Sequence, residues 1–451
     1  MDKREFLKGT AATAAAMMMT PLTATEAFAD DQVPRTNWSG NYHYSTSKVF
    51  QPESVPDVQD AVRSVTAVRA LGTRHSFNGI ADSQVAQIST LKLKDVAIAP
   101  DGRTVTVGSG IRYGDLAALL DAKGFALHNL ASLPHISVGG SVSTATHGSG
   151  MRNGNLATAV TAVEFVSADG SVHTLSSDQD ADRFTGAVVA LGSLGVVTHL
   201  TLTLQPRFDM TQIVYQNLPF AKLEHHFADI MGAGYSVSIF TDWQNGRAGE
   251  LWIKRRVDQG GATTPPLTFY NATLATQKLH PIPGHPAEAC TDQLNIVGPW
   301  YERLPHFKLN FTPSSGQELQ SEFLVPFDRA YDAVRAVETL GDKITPHLYI
   351  TELRTIAADD LWMSTANNRP SLAIHFTWKL ESAAVLNVLP QIEAKLAPFQ
   401  ARPHWGKVYV MNVAQIAALY PRINDFRTLI HQFDPKGKFR NQYIHEHVDP
   451  A

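Results

Sequence analysis

Helical and alternating hydrophobic patterns divide the first part of the chain into short elements. From Ser54 to Val65 the apolar residues follow i, i+3, i+4, i+7 spacing, which predicts an amphipathic helix. The apolar run 68–71 predicts a buried strand that leads straight into the loop 72–78. A second strand over 104–107 is followed by a helix that stops at Gly124. A strand that ends in a glycine-containing loop lets backbone amides approach a ligand.

Residues 131–150 form the most unusual stretch, because Gly, Ser and Thr dominate it. Such residues expose backbone N–H groups and hydroxyls, which can bind a pyrophosphate without lysines. A long surface loop is the alternative, but a flexible linker has no reason to contain Ile136, Val138 and Val142. Residues 184–204 then alternate glycine with valine and leucine, which indicates sheet.

Gly108-x-Gly110, between a predicted strand and a predicted helix, suggests dinucleotide binding. The third glycine of that motif, Gly114, comes one residue late, and no acidic residue sits at the expected distance. We therefore interpret these glycines as ordinary turn residues.

Three segments in the second half combine strand patterning with polar residues that are costly to bury. Glu352 and Arg354 are two residues apart, so on a strand they share one face, and the same holds for His375 and Thr377. In 402–408 a histidine and a lysine interrupt a strand-like run. If these strands are neighbours, their polar faces form a cluster that can bind a small molecule rich in hydroxyls. A salt-bridged sheet face exposed to solvent is the alternative.

The composition narrows the classes of function. The 451 residues include 38 Lys+Arg and 42 Asp+Glu, and a formal charge of −4 gives no field that would attract nucleic acid or an anionic membrane. The single cysteine, Cys290, excludes an intramolecular disulfide and a thiolate metal cluster. Eighteen histidines leave open a metal site, a proton shuttle or an attached cofactor. Since the close histidine pairs are 225–226 and 445–447 and no H-E-x-x-H occurs, we expect no metal.

Residues 1–29 have the features of an export signal. Lys3, Arg4 and Lys8 give a basic start, and Ala27-Phe28-Ala29 is an A-x-A cleavage site. The start resembles a twin-arginine signal, with Lys3 at the place of the first arginine, and a general secretory peptide is the alternative. We expect a periplasmic or secreted protein with no membrane association after cleavage.

Taken together, these motifs resemble the flavoprotein alditol and xylitol oxidases, which have the vanillyl-alcohol-oxidase (PCMH) type of FAD fold. The resemblance runs from about Thr36 to the C-terminus and is carried by segments 69–78, 132–150, 312–316, 352–355, 375–378 and 402–407. It implies an α+β fold with an FAD-binding domain over 30–208, a substrate (cap) domain over 209–418 on a mixed or antiparallel sheet, and a C-terminal return over 419–451.

The same resemblance implies the site residues. His75 corresponds to the histidine whose ring is covalently bonded to the flavin 8α carbon. The implied FAD contacts are Ala70, Leu71, Gly72, Thr73, Arg74, His75, Ser76, Ser132, Ser137, Gly140, Thr144, Ala145, Thr146, His147, Val197 and His404. The implied polyol-binding residues are Ser132, Glu352, Arg354, Thr377 and Lys407, and the implied catalytic residues are Lys407, His375, Glu352 and Arg354.

The implied reaction is oxidation of the terminal hydroxyl of an alditol such as xylitol, sorbitol or glycerol to the aldose, with O₂ reduced to H₂O₂. In this mechanism Glu352 and Arg354 hold the inner hydroxyls so that the terminal carbinol carbon lies near flavin N5. Lys407, assisted by His375, takes the hydroxyl proton as hydride leaves, and either residue can be the base. Ala131 is small enough to leave a path for oxygen. We expect a monomer.

Two other functions stay open at this point. A sugar-lactone or polyol dehydrogenase of the same fold would pass electrons to an acceptor other than O₂. An exported carbohydrate-binding protein without catalysis would bind no FAD.

Overall fold

The structure, a computed structural model, describes residues 33–450. The predicted export signal over 1–29 lies outside the described residues. Within residues 33–450, no helix is both long enough and apolar enough to cross a membrane.

The first part of the chain, residues 33–208, contains short strands and helices in three small sheets. Its elements are β1 (Val49–Phe50), α1 (Val55–Arg63), β2 (Arg69–Leu71), β3 (Gln87–Ser89), β4 (Val96–Ile98), β5 (Thr104–Gly108), α2 (Tyr113–Ala122), β6 (Phe125–Ala126), α3 (Val138–Ser143), β7 (Val160–Val166), β8 (Val172–Ser176), α4 (Ser177–Val188), β9 (Val196–Thr203) and β10 (Gln205–Pro206). A parallel sheet has the order β1-β3-β2, an antiparallel sheet has the order β4-β5-β9-β7-β8, and β6 pairs with β10.

Local sequence explains several of these elements. Helix α1 begins after Ser54, whose hydroxyl and the Asp57 carboxylate form a reciprocal capping box, and its apolar residues are buried as predicted. The predicted strands over 68–71 and 104–107 are confirmed as β2 and β5. The helix predicted before Gly124 is confirmed as α2, and Gly124 itself has a φ of 85°, a conformation that favours glycine.

The prediction of sheet over 184–204 is wrong in its first half. Residues up to Val188 belong to α4, and strand β9 begins only at Val196. Phe184, Ala187 and Val188 are buried at i, i+3 and i+4, so the same apolar residues also satisfy a helical spacing. Tertiary packing therefore selected the helix over the alternating interpretation.

The second part of the chain builds one large sheet and the helices that cover it. Its elements are β11 (Asp209–Pro219), α5 (Phe220–Met231), β12 (Ser236–Thr241), β13 (Arg247–Arg256), β14 (Thr268–Phe269), β15 (Ala272–Leu274), β16 (Gly298–Pro299), β17 (Glu318–Pro326), α6 (Ala330–Glu338), α7 (Gly341–Ile344), β18 (Leu348–Ile356), β19 (Ser371–Lys379), α8 (Ser382–Leu396), β20 (Arg402–Pro403), α9 (Val413–Leu419), α10 (Ile423–Phe433) and α11 (Gln442–His447).

The large sheet has ten strands in the order β14-β15-β11-β13-β12-β18-β19-β17-β20, with β16 also paired to β11. All of these pairs are antiparallel. Helices α5 and α6 pack against one face, and α8 packs on α6. Leu353, Ile374 and Phe376 point into the hydrophobic core on that side.

The opposite face of the sheet is polar, and its register aligns charged residues that are far apart in sequence. Glu352 on β18 pairs directly with His375 on β19, which in turn pairs with Glu322 on β17. Of the three segments whose polar faces would form a cluster if the strands were neighbours, two are on β18 and β19, which are adjacent. The third predicted strand is wrong over most of its length, because only Arg402–Pro403 is extended and the chain turns at 404–407.

The C-terminal segment lies against the first part of the chain. The Asp434 carboxylate accepts hydrogen bonds from the backbone N–H groups of Lys438 and Phe439, each at 2.7 Å. Lys438 in turn accepts from the N–H of Val68 at 2.9 Å, next to β2. The domain boundaries proposed from sequence stay a prediction.

Candidate active site

A cavity lies between loops of the first part of the chain and the polar face of the large sheet. About 1660 Å³ of space in and around it is not filled by protein atoms, and part of this space is open to solvent. We call the lining residues of segments 69–77, 109 and 131–147 the loop wall. We call the lining residues of β17, β18 and β19 together with those of the turn 404–407 the sheet wall.

All of the predicted site residues except Ala145 line this cavity. Ala145 is fully buried and has a φ of 54°. The structure thus brings the predicted FAD contacts and the predicted polyol contacts to two sides of one space. Their individual roles stay predictions.

His75 presents an unpaired ring nitrogen to the cavity. Its Nδ1 donates to the Thr73 carbonyl at 3.0 Å, which leaves the lone pair on Nε2. That Nε2 is buried and has no hydrogen-bond partner in the described part of the chain. Trp38 stacks on the ring with centroids 5.1 Å apart. Burial, with the charges of His135 and Arg74, lowers the pKa of His75 to about 3, so the ring is neutral near pH 7.

Small residues leave the rest of the loop wall open. A methyl group on Gly72 would collide with the Ser137 hydroxyl, and one on Gly140 would lie 3.1 Å from the same oxygen. The hydroxyls of Ser109 and Ser137 are buried and have no partner among residues 33–450. A narrow cradle with unpaired hydroxyls and an unpaired imidazole nitrogen fits a cofactor such as FAD, which brings both phosphate oxygens and a large aromatic ring.

Glu322 lies at the centre of the sheet wall, and its side chain is fully buried. Oxygen Oε1 is 3.0 Å from Arg354 Nη2 and 2.8 Å from His147 Nε2. Oxygen Oε2 is 2.9 Å from Lys407 Nζ and 3.0 Å from His375 Nδ1. Four nitrogen atoms thus surround one carboxylate, which holds both predicted catalytic cations in place.

Lys407 and His375 form a close pair beside Glu322. The Lys407 Nζ is 2.8 Å from His375 Nδ1, and His375 Nε2 is 3.2 Å from the Thr377 hydroxyl. All three side chains line the cavity. A hydroxyl group in the cavity therefore meets two basic nitrogen atoms that can exchange a proton with each other.

Glu352 and Arg354 lie next along the sheet wall. Arg354 donates from Nη1 to the Ser132 hydroxyl at 2.9 Å, so it links the sheet wall to the loop wall. Its Nε is 3.5 Å from Glu352 Oε2. The other Glu352 oxygen, Oε1, is 2.7 Å from Nε2 of His306. One carboxylate and one guanidinium thus stand side by side at the cavity surface as acceptor and donor.

Burial and mutual charge set the protonation states of the sheet wall. Burial by itself would raise the pKa of both carboxyls, but Lys407, His147 and Arg354 hold the pKa of Glu322 well below its usual range. Arg354 and His306 have the same effect on Glu352. Burial and the charge of Lys407 lower the pKa of His375 to about 4, and burial lowers the pKa of Lys407. The carboxylates are therefore ionised near neutral pH and His375 is neutral.

His147, Glu322 and His404 are residue types that bind metal ions, and one donor atom from each lies within 4.8 Å of the others. Both Glu322 oxygens, however, already contact the cationic groups of Arg354 and Lys407. Those two positive charges oppose a divalent cation at the same place.

Sequence reasoning missed Glu322, Gln320 and His306, all of which line the cavity. A signal for the first two existed: Glu318, Gln320 and Glu322 alternate with other residues just before an apolar run, which is a half-polar strand pattern. His306 follows a proline in an irregular segment and gives no such pattern.

Comparison with known protein families matches the chain at both ends. Residues 46–176 match the FAD binding domain family, and residues 312–447 match the D-arabinono-1,4-lactone oxidase family. The first match contains the segments that build the loop wall, and the second contains β17, β18, β19 and the turn 404–407.

Individual relatives extend over most of the chain. An alditol oxidase from Streptomyces sp. is 46% identical over 419 residues, which cover 92% of this chain and 99% of the relative. An L-gulono-1,4-lactone dehydrogenase from Mycobacterium tuberculosis is 26% identical and covers 92% of this chain and 99% of the relative.

Among solved structures, cholesterol oxidase from B. sterolicum superimposes with a TM-score of 0.72 at 12% identity, covering 92% of this chain and 96% of that one. At this identity the similarity concerns the fold alone. The predicted α+β fold of the FAD-binding type is confirmed.

Proposed function

The chain belongs to the alditol oxidase family of FAD-dependent oxidoreductases, and we propose that it oxidises the terminal hydroxyl of an alditol to the aldose while O₂ is reduced to H₂O₂. The observation that carries this proposal is the arrangement of the sheet wall. Glu352, Arg354, His375 and Lys407 face the same cavity as the FAD-type loop wall. Such a surface offers several donors and acceptors to one small molecule rich in hydroxyls.

FAD bound in this cavity would supply the hydride acceptor and the route of the electrons to O₂. The unpaired Nε2 and the stacked, rigid ring of His75 support covalent attachment of the cofactor through this residue. The unpaired hydroxyls of Ser109 and Ser137 would bind its polar parts. Ala131 lines the cavity, which supports its assignment to an oxygen path.

The polyol is held by Glu352 and Arg354. The ionised Glu352 carboxylate accepts hydrogen bonds from substrate hydroxyls, and the Arg354 guanidinium donates to their oxygens. Ser132 and Thr377 border this pair and add hydroxyl groups of their own. Two fixed charges side by side orient the chain of hydroxyls and so place the terminal carbon.

The proton of the reacting hydroxyl goes to the Lys407–His375 pair. Burial lowers the pKa of both residues, which favours the uncharged forms that can accept a proton. The nitrogens are 2.8 Å apart, so the pair takes up the proton as a unit. Glu322 beside the pair is 1% exposed, which limits the access of water from that side.

The experiment is to mix the purified protein with xylitol and to measure O₂ consumption and H₂O₂ formation together. The expected result is one H₂O₂ for each O₂ consumed. No O₂ consumption, but reduction of an artificial electron acceptor, would instead support a dehydrogenase, a function that the M. tuberculosis lactone dehydrogenase relative makes the second candidate. A colourless protein that stays colourless with added FAD would indicate a binding protein.

The role of Glu352 is tested by Glu352→Gln. We expect a higher KM for xylitol and a lower kcat, with kcat/KM reduced about 100-fold because a charged acceptor is lost. Glu250→Gln is the matched control: Glu250 lies in the same row of the sheet, beyond Phe240, and its carboxylate accepts from the Trp252 indole at 2.6 Å. An unchanged kcat/KM in Glu352→Gln would contradict the assigned role.

Covalent attachment is tested by acid precipitation. Yellow colour that stays with the pellet is the expected result, and colour released to the supernatant would contradict the role of His75.

We also propose that the protein is exported and that it is a monomer. Culture fractionation tests the first proposal, and size-exclusion chromatography tests the second.

A further inference from the structure

A buried lysine lies behind the sheet wall and has no part in the mechanism above. Lys254 on β13 is 1% exposed, and its Nζ contacts the carbonyls of Leu304 and Pro305 and, at 3.0 Å, Nδ1 of His306. Burial lowers the pKa of Lys254 to about 7. Lysines are rarely buried to this extent, because taking an ammonium out of water is costly. A role limited to filling space would be served better by methionine.

The contacts of Lys254 fix which nitrogen of His306 carries the proton. In its charged form Lys254 has three N–H groups, and its three contacts are the two carbonyls and Nδ1 of His306, so Nδ1 is the acceptor and holds the lone pair. Burial and the charge of Lys254 lower the pKa of His306 to about 4, so the ring holds one proton, and that proton is on Nε2. The rings of Phe240 and Trp252 meet the His306 ring edge to face, with centroids 5.5 Å and 5.2 Å away, which limits its rotation.

The protonated Nε2 of His306 faces Glu352, whose Oε1 is 2.7 Å away. The hydrogen bond from His306 binds one oxygen of the carboxylate, and the Arg354 Nε lies 3.5 Å from the other. With the proton on Nδ1 instead, two lone pairs would face each other across 2.7 Å, and the carboxylate would turn away or take up a proton. The tautomer of His306 therefore controls the orientation of Glu352.

We propose that Lys254 is a positioning residue for substrate binding, which acts through the tautomer of His306 to hold the Glu352 carboxylate as a hydrogen-bond acceptor facing the cavity. This inference rests on the proposed function, in which Glu352 binds the hydroxyls of the polyol. Lys254 itself does not line the cavity, whereas His306 and Glu352 do.

The first test is Lys254→Met, which keeps most of the length of the side chain and removes its donors. We expect the KM for xylitol to rise about tenfold, the size of the loss of a well-oriented hydrogen bond to a charged group. We expect kcat at saturating xylitol to fall by a smaller factor than KM rises, because Glu352 also places the terminal carbon but the Lys407–His375 pair is untouched. A fall in kcat with an unchanged KM would overturn the proposal.

The second test replaces His306 with a residue that has a donor but no second tautomer. In His306→Gln the side-chain amide donates to Glu352 whether or not Lys254 is present, because an amide has no alternative tautomer. We therefore expect Lys254→Met to change KM less than about twofold in the His306→Gln background. An equal rise in KM in both backgrounds would show that Lys254 acts without His306 and would overturn the proposal.

A third comparison does not depend on the folding of Lys254→Met. His306→Gln should keep KM within about threefold of the wild-type protein, whereas His306→Leu, which cannot donate, should raise it about tenfold or more. Equal KM values for these two variants would overturn the proposal. Failure of the proposed function is recognised separately, since the wild-type protein would then consume no O₂ with xylitol and every variant would be equally inactive.

Discussion

The two walls of the cavity satisfy their polar groups in opposite ways. In the loop wall, buried polar atoms such as His75 Nε2 and the hydroxyl of Ser137 have no partner among the described residues. In the sheet wall, Glu322 contacts four nitrogen atoms of neighbouring side chains. The loop wall is thus completed by a bound cofactor, whereas the sheet wall is organised before substrate arrives. Cofactor loss should weaken the first wall, and a single substitution should disturb the whole of the second.

The largest expected effect comes from Glu322→Gln in the sheet wall. The amide leaves Lys407 and Arg354 without their shared negative charge in a buried site. We expect the free energy of unfolding to fall by about 3 kcal/mol and kcat/KM for xylitol to fall about 100-fold. Urea denaturation and steady-state kinetics measure the two quantities.

Glu318→Gln is the matched control for this prediction. Glu318 is also buried on β17, but its carboxylate contacts the Ser315 N–H at 2.9 Å and the Gln320 amide, and burial raises its pKa. An amide oxygen still accepts from Ser315, so we expect changes within about 1 kcal/mol and threefold in kcat/KM. Similar losses of stability and of kcat/KM in both variants would contradict the special role of Glu322, because any buried carboxyl on β17 would then be equally important.

The next largest effect concerns the loop wall. His75→Ala abolishes the proposed tether, so the cofactor dissociates and the hydroxyls of Ser109 and Ser137 lose their partners. We expect the apoprotein to unfold with a free energy about 2.7 kcal/mol lower than the holoprotein, as for loss of a ligand present at 100 times its Kd. Added FAD should restore part of this loss. A variant as stable as the wild type without FAD would contradict the view that the cofactor completes this wall.

The pH dependence of stability tests a feature that the walls share. Burial lowers the pKa of His135, beside the loop wall, to about 4, and the pKa of His375 in the sheet wall to about 4. Between these values and the ordinary histidine value near 6.5, the unfolded chain binds more protons than the folded protein, so stability falls as pH falls through this window. Each histidine contributes at most about 1.4 kcal/mol per pH unit, and less near either end of the window.

The check is urea unfolding at pH 6.5 and pH 5.5 in the wild type and in His135→Gln. The loss of stability between the two pH values should be about 1 kcal/mol smaller in the variant, because the unfolded histidine is only half protonated at pH 6.5. Equal losses would mean that His135 is protonated in the folded protein at pH 5.5.

The smallest effect is expected from Gly140→Ala in the loop wall. The added methyl group lies 3.1 Å from the Ser137 hydroxyl, within the space assigned to the cofactor. We expect FAD to bind the His75→Ala background about fivefold more weakly, a cost of about 1 kcal/mol. Gly249→Ala, whose methyl group would meet only the Phe240 carbonyl at 3.9 Å, is the control and should leave FAD binding unchanged.

Local sequence patterns predicted much of the fold where a single segment forms the structure. The helix after Ser54 and the strand that leads into the His75 loop depend on spacing within a few residues, and both are present. The prediction of sheet over 184–204 was wrong in its first half because the apolar residues there fit both the helical and the strand period. Only packing in the folded protein decided between the two. The prediction of a strand over 402–408 was wrong beyond Pro403. The segment has the composition of a strand, but no neighbouring strand continues to pair with it there.

The sequence by itself determined the loop wall: a short strand that ends in a loop with His75, and a run of small residues that leaves space for a cofactor, are both local properties. Only the tertiary structure decided the sheet wall. Glu322, Glu352, His375 and Lys407 come together through the register of β17, β18 and β19 and the turn that follows β20. Lys254 on β13 and His306 in an irregular segment pack together next to Glu352. Hydrogen bonds and ion pairs between distant segments have no period in the chain, so no pattern of nearby residues predicts them.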